Sequence, residues 1–355
     1  MSLRDIISKA LSEWMKGTGP ERDVAISSRV RLARNLANVP FPGVAQEEQL
    51  QQVLQDVKKA SDNMPYLKNA EFIRLIELPI LERQLLVEKH LISPQHAQNV
   101  ESKAVVVRED EAMSIMINEE DHLRLQALFP GLQAMQAWQF CSQVDDAYAE
   151  QLDYAVSKEI GYLTACPTNV GTGMRASIML HLPALVMADQ IKRVVSAASQ
   201  LSLVVRGIYG EGTDVLGNMF QISNQLTLGH TEEEIIQHLL DVTKQIIAQE
   251  RNVREHMLKQ NKIGLEDRIY RSYGVLTNAR IISTQEAMQL LSDVRLGIDL
   301  GLVSGLEPRI LQELLVMIRP AHLQKLMKQE LEAPQRDLHR ATLIRERMQP
   351  VPPAS

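Results

Sequence analysis

The hydrophobic pattern of this chain changes character near Gly264. Before that point, helical spacing marks residues 46–62, 132–157, 184–200 and 231–260. Between these stretches lie strand-like runs: "EFIRLIEL", "AVVVRED", "MSIMIN", "LSLVVRG" and "NMFQISN". Because the strand-like runs occur in neighbouring groups, the pattern favours an α+β fold with a largely antiparallel sheet over a doubly wound parallel sheet.

After Gly264 the strand signal disappears. Four segments with helical patterning follow, separated by Gly or Pro: "TQEAMQLLSDVRLGIDLGLV", "EPRILQELLVMI", "PAHLQKLMKQEL" and "APQRDLHRATLIRERM". We therefore predict an α+β domain over residues 24–254 and an all-α domain over residues 264–348. Residues 1–23 are predicted to be an N-terminal segment, and the Pro-rich residues 349–355 a disordered tail.

Charge and cysteine content exclude several classes of protein. A formal net charge of −6 argues against a dedicated nucleic-acid surface, which needs clustered Lys and Arg. The two cysteines, Cys141 and Cys166, are far apart and have no neighbouring metal ligands, so we predict neither a disulfide framework nor a zinc site. Charged residues interrupt the apolar N-terminus, unlike a signal peptide, and no run is long enough to span a membrane. These features predict a cytoplasmic protein.

The stretch "SSRVRLARN" (residues 27–35) places two arginines in a strand-like context. Arg29 and Arg31 alternate, so they are expected to point to the same side. Two guanidinium groups on one face suit a polyphosphate, because each can bind a pair of oxygens. The alternative is a solvated strand face, which is the commoner environment for two arginines taken alone.

The stretch "NEEDHLR" (residues 118–124) places three acids directly after an apolar run. Glu119, Glu120 and Asp121 would suit a solvated turn, a hard cation such as magnesium, or a cationic substrate. The residues alone leave these three alternatives open. His122 by itself is expected to be structural.

Two glycine-rich stretches follow. "CPTNVGTGMRASIMLHLP" (residues 166–183) has glycines that let backbone N–H groups converge on an anion, but it lacks the Gly-Lys-Ser/Thr ending of a P-loop. Arg175 adds a fixed charge there, whereas Cys166 in isolation is more often a small buried hydrophobe. "RGIYGEGTD" (residues 206–214) indicates a mobile loop or a close approach of backbone to a ligand, with a plain turn as the alternative.

Together and in this order, these segments resemble the phosphagen (guanidino) kinases, from about Ser27 to Glu234 and including "ISNQLTLGHTEEE". That family moves a phosphoryl group from ATP to a guanidino nitrogen. His90, in "VEKHLIS", matches the family histidine beside adenine, whereas Met179 stands where the family has another histidine, which predicts an altered adenine pocket. The resemblance implies that five arginines clamp the nucleotide phosphates: Arg29, Arg31, Arg124, Arg175 and Arg206.

The resemblance extends the predicted ATP site beyond the arginines. Magnesium is expected to bind mainly through the nucleotide phosphates and water, and Asp121 to adjoin that region. The complete set of positions expected to bind ATP is Ser27, Ser28, Arg29, Val30, Arg31, His90, Asp121, Arg124, Arg175, Ala176, Ser177, Ile178, Met179, Arg206, Gly207, Ile208, Tyr209 and Gly210.

The acceptor chemistry accounts for the acids. A guanidinium is protonated at ordinary pH and its nitrogen is a poor nucleophile, so a site must orient it and accept a proton. The resemblance assigns Glu120 and Glu211 as the catalytic carboxylates that do both. It also assigns Cys166 as a catalytic thiolate, favoured by flanking positive charge, that helps to hold and polarise the guanidinium.

Two further features resemble the bacterial protein-arginine kinases. Only 26 residues precede Ser27, too few for the helical lid that closes over small substrates, so we expect an open pocket that accepts an arginine side chain of a protein. "RDLHRA" matches the phosphoarginine pocket of the C-terminal domain, which implies that Arg336, Asp337, Arg340 and Ala341 bind phosphoarginine and regulate activity. Taken alone, this stretch is typical of a solvated amphipathic helix.

The same resemblance implies a homodimer and a cellular role. Phosphoarginine would mark stressed proteins for a Clp protease, with an activator protein and a heat-shock repressor as further partners, and without direct contact to nucleic acid or membrane. Two alternatives stay open: a small-molecule guanidino kinase in which the C-terminal helices replace the lid, and a non-catalytic adaptor for phosphoarginine. The presence of all five arginines, both carboxylates and the cysteine argues against the adaptor.

Overall fold

The computed structural model describes residues 12–62, 64–207 and 215–348. The strands are β1 (Ala25–Arg34), β2 (Glu71–Arg74), β3 (Ala104–Val107), β4 (Met113–Ile117), β5 (Leu123–Pro130), β6 (Val156–Ser157), β7 (Gly161–Tyr162), β8 (Met174–His181), β9 (Leu203–Gly207) and β10 (Met219–Asn224). The α-helices are α1 (Glu47–Asp62), α2 (Ile80–Glu88), α3 (Ala134–Ala149), α4 (Pro183–Met187), α5 (Ile191–Gln200), α6 (Glu232–Gln260), α7 (Lys262–Asn278), α8 (Thr284–Asp299), α9 (Pro308–Met317), α10 (Pro320–Met327) and α11 (Ala333–Arg347). None of the helices within these ranges is long and apolar enough to cross a membrane.

Eight of the strands form one sheet in the order β2-β3-β4-β5-β1-β8-β10-β9, and every neighbouring pair is antiparallel. This confirms the predicted α+β fold with an antiparallel sheet flanked by helices. β1 lies at the centre, between β5 and β8, so residues distant in sequence share its two faces. β6 and β7 form a separate hairpin.

One face of the central strands forms the main apolar core. Val30 and Leu32 of β1 and Ile178 of β8 are fully buried there, against helices that include α3 and α6. Burying a Val or Leu side chain stabilises a fold by about 1.5–3 kcal/mol. Because alternate residues of a strand point to opposite faces, the residues between these apolar positions lie on the other face of the sheet.

The helices after Asn261 have an apolar core of their own. Leu291, Leu314 and Ile344 lie in it, from α8, α9 and α11 respectively. The four helical segments predicted after Gly264 are confirmed as α8 to α11, and α7 is an additional helix whose first turn is capped by the side chain of Asn261. The exact domain boundaries stay predictions.

The short 3₁₀ turn Glu13–Lys16 packs between the sheet and α9. Trp14 and Met15 are buried, and the carbonyl of Trp14 accepts a hydrogen bond from the Gln312 side chain at 2.9 Å. This turn therefore belongs to the packed structure, next to the face of the sheet that is opposite the main core.

Candidate active site

The strand register brings the predicted arginines to one face of the sheet. Arg31 of β1 is paired directly with Arg175 of β8, and Arg206 of β9 is paired with Gln221 of β10. Gln221 in turn is opposite Met179 of β8, four residues from Arg175. Directly paired residues of antiparallel strands point to the same side, and so do residues two or four apart in a strand. Arg124 of β5 is opposite Ala33 of β1, two residues from Arg31. The face opposite the main core, here called the arginine face, therefore carries Arg29, Arg31, Arg124, Arg175 and Arg206.

Arg31 lies at the centre of this positive charge. Burial, together with the charges of Arg29, Arg124 and Arg175, lowers the pKa of Arg31 well below its ordinary value. Its buried Nε makes no hydrogen bond within the described part of the chain. Like charges held this close repel one another. An anion with several oxygens that binds to the arginine face would therefore stabilise these guanidinium groups.

Arg29 lies at the edge of a small pocket on the same face. Its guanidinium donates to Gln221 Oε1 at 2.7 Å and to Ser177 Oγ at 3.4 Å. This cavity, the Trp14 pocket, is lined by Trp14, Ser27, Arg29, His90, Leu128, Ser177, Met179 and Gln221. The rings of Trp14 and His90 meet edge to face, with centroids 5.3 Å apart. Aromatic and apolar walls beside an anion site suit a flat heterocyclic base attached to phosphates.

Sequence reasoning found five of the eight residues that line the Trp14 pocket but missed Trp14, Leu128 and Gln221. Leu128 and Gln221 could have been found from strand alternation, once their strands were paired with β1 and β8. Trp14 carried no such signal, because the turn Glu13–Lys16 reaches the pocket only through tertiary packing.

Trp14 provides a direct test of the pocket. Only Trp14 and Trp138 are present, so Trp138→Phe leaves Trp14 as the sole tryptophan. We expect saturable quenching of its fluorescence on titration with ATP, because the base would enter the pocket that the indole lines. Inorganic triphosphate, which lacks a base, should bind the arginines with little change in emission. Nucleotide binding seen by calorimetry without any change in Trp14 emission would contradict this placement.

Four residues of the predicted ATP set have side chains on the core face of the sheet. The Ser28 hydroxyl donates to the carbonyl of Gly131 at 2.8 Å, and Val30, Ala176 and Ile178 are fully buried in the main core. Strand alternation points these side chains away from the arginine face. These side chains therefore cannot contact a ligand on the arginine face, and the assignment of the four positions to ATP stays a prediction for their backbone groups.

The three adjacent acids after β4 have three different environments. Glu119 forms a buried ion pair with Arg124 and accepts a hydrogen bond from the Ser93 hydroxyl. Burial alone would raise the pKa of Glu119, but Arg124 and these hydrogen bonds lower it. Glu120 is exposed, and burial of part of the side chain together with the charge of Asp121 raises its pKa. Of the three, Glu120 is thus the carboxylate open to a ligand from solvent.

Asp121 is buried and binds the backbone of the segment that contains Cys166. Its Oδ1 accepts hydrogen bonds from the Ala165 backbone N–H at 2.7 Å and from the Asn35 side chain at 2.6 Å. Burial raises the pKa of Asp121, and these two hydrogen bonds oppose the rise. The contacts place Asp121 as the anchor of the cysteine loop, and its predicted contact with ATP stays a prediction.

Cys166 is half-buried at the start of a loop beside the arginine face. Its Sγ lies 3.0 Å from Thr168 Oγ1, and Thr227 holds the loop by donating to the carbonyls of Thr168 and Val170 at 2.9 and 2.8 Å. Burial lowers the pKa of Arg175, the charge of Arg206 lowers it further, and the nearby Cys166 opposes this. The thiol therefore lies within electrostatic range of the arginines.

His122 is structural, as expected. Its Nδ1 accepts a hydrogen bond from the Leu36 backbone N–H at 3.1 Å, and its Nε2 lies 3.1 Å from the carbonyl of Pro40, to which it donates. Burial lowers the pKa of His122 to about 4, so the ring is neutral. Within the described ranges, no group of three or more His, Cys, Asp or Glu side chains is arranged to hold a metal ion.

Some predicted residues cannot be placed. Ile208, Tyr209, Gly210 and Glu211 lie outside the described residues, and Gly207 is the last residue of β9. Their assignment stays a prediction.

The "RDLHRA" motif lies on α11. Arg340 is buried, donates to the carbonyls of Ile318 and Ile282 at 2.8 and 2.9 Å, and pairs with Asp337. Arg336 is half-buried and donates to the carbonyl of Leu331 at 2.6 Å. The predicted phosphoarginine role of these residues stays a prediction.

Comparison with protein families gives two matches. Residues 52–253 match the model of the ATP:guanido phosphotransferase C-terminal catalytic domain. Residues 262–355 match the model of the protein-arginine kinase McsB C-terminal domain.

Several named proteins and solved structures are similar to this chain. A protein-arginine kinase of Halothermothrix orenii is 52% identical over 98% of this chain and 99% of its own length, and one of Bacillus pumilus is 51% identical over 98% and 96%. The crystal structure of a lombricine kinase covers 70% of this chain and 71% of its own, with a TM-score of 0.60 and 24% identity. This last likeness concerns the fold alone.

Proposed function

The chain belongs to the ATP:guanido phosphotransferase family, and from that premise we propose that it phosphorylates arginine side chains of proteins with ATP. The observation that carries the proposal is the convergence of five arginines on one face of the sheet, beside Glu120 and Cys166. Relatives that are about half identical over nearly their whole length are named protein-arginine kinases, which supports a protein as the acceptor.

The arginine face would bind the phosphates of ATP, with the base in the Trp14 pocket. Arg31 and Arg175 are paired across β1 and β8 at the centre of the face, where they can contact the γ-phosphoryl oxygens. Phosphoryl transfer needs little covalent participation from the protein, so positioning and charge stabilisation are the main catalytic devices. Magnesium would enter with ATP, held by the phosphates and water, and would neutralise part of their charge.

The acceptor would lie on the Glu120 side. Glu120 pairs with the planar guanidinium and takes the proton of the attacking nitrogen as the new N–P bond forms and the bond from the γ-phosphorus to the bridging oxygen breaks, releasing ADP. Cys166 would hold the guanidinium from the other side as the thiolate, and Glu211 would be the second carboxylate. Because Glu120 is exposed and Cys166 only half-buried, an arginine side chain that projects from a protein can reach both.

We also propose the wider role expected from the resemblance. Phosphoarginine would mark stressed proteins for a Clp protease, and the enzyme would act in the cytoplasm as a homodimer, with an activator protein and a heat-shock repressor as partners. Arg336, Asp337, Arg340 and Ala341 would bind phosphoarginine and adjust activity. The match of residues 262–355 to the C-terminal domain of a protein-arginine kinase supports this assignment.

The proposal is tested by offering two acceptors in parallel. Purified protein is incubated with ATP and magnesium, and with either an unfolded arginine-rich protein or free arginine. We expect acid-labile phosphate on arginine side chains, located by mass spectrometry, and none on a matched acceptor protein in which every arginine is replaced by lysine. Transfer to free arginine alone would favour a small-molecule kinase, and transfer to neither would favour the adaptor.

A further inference from the structure

Three consecutive residues at the end of α2 contact three different parts of the molecule. Glu88 contacts the C-terminal helices, Lys89 contacts the N-terminal turn, and His90 lines the Trp14 pocket. Consecutive residues are joined by the backbone and packed closely, so a displacement of one residue also displaces the next. The conformation of this turn therefore connects the C-terminal helices with the pocket.

Glu88 caps the first turn of α10. One carboxylate oxygen accepts from the Ala321 backbone N–H at 2.9 Å, and the other accepts from the His322 N–H at 3.0 Å and lies 2.7 Å from His322 Nδ1, which donates to it. The first N–H groups of a helix have no partner within the helix, and a carboxylate satisfies them well. No side chain at the N-cap position Arg319 caps α10, so Glu88 takes over this role from another helix.

Lys89 is fixed on two sides. Its ammonium forms a buried ion pair with Glu111, whose other oxygen accepts from the Ser12 hydroxyl. Its carbonyl accepts from the indole N–H of Trp14 at 3.2 Å. A buried charge held by a partner and by neighbouring hydrogen bonds has little freedom to move. The turn and the Trp14 wall of the pocket are thus joined directly.

His90 has a backbone conformation that depends on these neighbours. Its φ is 61°, in the left-handed region that residues other than glycine rarely adopt, and its carbonyl accepts from the Gln126 side chain at 2.7 Å. Burial lowers the pKa of His90 well below its ordinary value, and the charges of Arg319 and Arg29 lower it further. The ring is therefore neutral, and Arg319, directly before α10, is close enough to influence it.

The start of α10 is also held by α11. Arg340 of α11 donates to the carbonyl of Ile318 at 2.8 Å, two residues before Pro320 begins α10. Contacts therefore run without interruption from α11 through the start of α10 to Glu88, and from there to His90.

We propose that Glu88 is a positioning residue for nucleotide binding: by capping α10 it makes the placement of His90 in the Trp14 pocket depend on how the C-terminal helices are seated. The inference rests on the proposed function only in taking ATP as the ligand of this pocket. Loosening of the contact between α2 and α10 lowers the affinity for ATP, and by reciprocity bound ATP strengthens that contact.

Glu88→Gln tests the proposal with a nearly isosteric side chain. We expect the Kd and KM for ATP to rise about tenfold, while kcat changes less than twofold, because the substitution weakens the cap without touching the reacting groups. The matched control is Glu82→Gln, which removes the ion pair with Lys325 at 2.9 Å between the same two helices but lies six residues from Glu88. The control should leave the affinity for ATP within twofold of the wild type.

His322→Ala approaches the same contact from α10 and leaves α2 unchanged. It should also weaken ATP binding. The double variant with Glu88→Gln should lose less affinity for ATP than the sum of the two separate losses, because both substitutions disrupt one contact. Circular dichroism and Tm report whether each variant is folded. Binding is read by calorimetry and by Trp14 fluorescence, so the test does not require phosphoryl transfer to any acceptor.

Unchanged ATP affinity in folded Glu88→Gln and His322→Ala would overturn the proposal. Equal weakening by Glu88→Gln and by the Glu82→Gln control would also overturn it, since the effect would then belong to the interface as a whole. The proposed function can fail separately. If the wild-type protein binds ATP but phosphorylates neither protein nor free arginine, the proposed function is contradicted, and the ATP affinity of Glu88→Gln still tests the role of Glu88.

Discussion

Replacing Glu120 with glutamine is expected to lower kcat for phosphorylation of a protein substrate by about 10²–10⁴-fold, the usual loss when a positioned acid or base is removed. The amide can still accept a hydrogen bond from the guanidinium, but it cannot take the proton that leaves the attacking nitrogen. The KM for ATP should change little, because the arginines that would bind ATP are unaltered. Steady-state kinetics with saturating protein acceptor measures both constants.

The matched control is Glu255→Gln, an exposed glutamate of α6, which packs on the core side of the sheet; this variant should retain full activity. Retention of more than a tenth of wild-type kcat by Glu120→Gln would contradict the assigned role. The same outcome would make Glu211, outside the described residues, the principal base.

The pH dependence of the reaction gives a second measure of Glu120. A base must be ionised, so kcat/KM should fall as the pH drops through the pKa of Glu120. Burial and the charges of Asp121 and Glu119 raise that pKa, with Arg124 opposing, so the acid limb should lie at a higher pH than for an ordinary glutamate. This limb should be absent from the residual activity of Glu120→Gln, whereas an unchanged limb would assign the titration to another group.

Strand alternation made much of the site predictable from sequence. Arg29 and Arg31 share a face because they are two residues apart in β1, and the apolar Val30 between them faces the core. By the same rule, the side chains of Ser28, Ala176 and Ile178, which the resemblance includes in the ATP site, point to the core. A contiguous run in a strand cannot contact one ligand with every side chain.

Contacts between distant segments were not predictable. Trp14 reaches the pocket through packing of the N-terminal turn against α9, and Glu88 caps a helix that begins more than 230 positions later. α7 was not predicted, although Ile269 and Leu276 supply part of its buried side; Gly264 and Gly274, which have low helix propensity, weaken its helical pattern. These contacts depend on tertiary packing. A single sequence shows the type of each residue but not which distant residue it will contact.

Arg31→Met is expected to abolish activity and to make the nucleotide-free protein more stable. Loss of a central arginine at a transferring phosphoryl group costs about 10³-fold or more in kcat. Methionine fills much of the same volume but removes a half-buried cation that Arg29, Arg124 and Arg175 repel more strongly than Glu119 attracts it. We therefore expect Tm without nucleotide to rise by about 2 °C, and the further rise on adding a non-hydrolysable ATP analogue to be much smaller than in the wild type.

Arg34→Met is the matched control, three residues further along the same strand. Arg34 lies on the core side, where it pairs with Asp145 at 2.6 Å and stacks on Tyr162 at 3.5 Å. The same substitution there leaves a buried carboxylate unpaired and should cost about 3 kcal/mol of stability, so Tm should fall. If Tm rises for Arg31→Met and falls for Arg34→Met, the arginines of the arginine face repel one another in the nucleotide-free protein, and a bound anion would relieve that repulsion. If Tm falls by a similar amount for both variants, Arg31 stabilises the fold, and the positive charge of the arginine face is already neutralised without a ligand. That result would contradict the prediction.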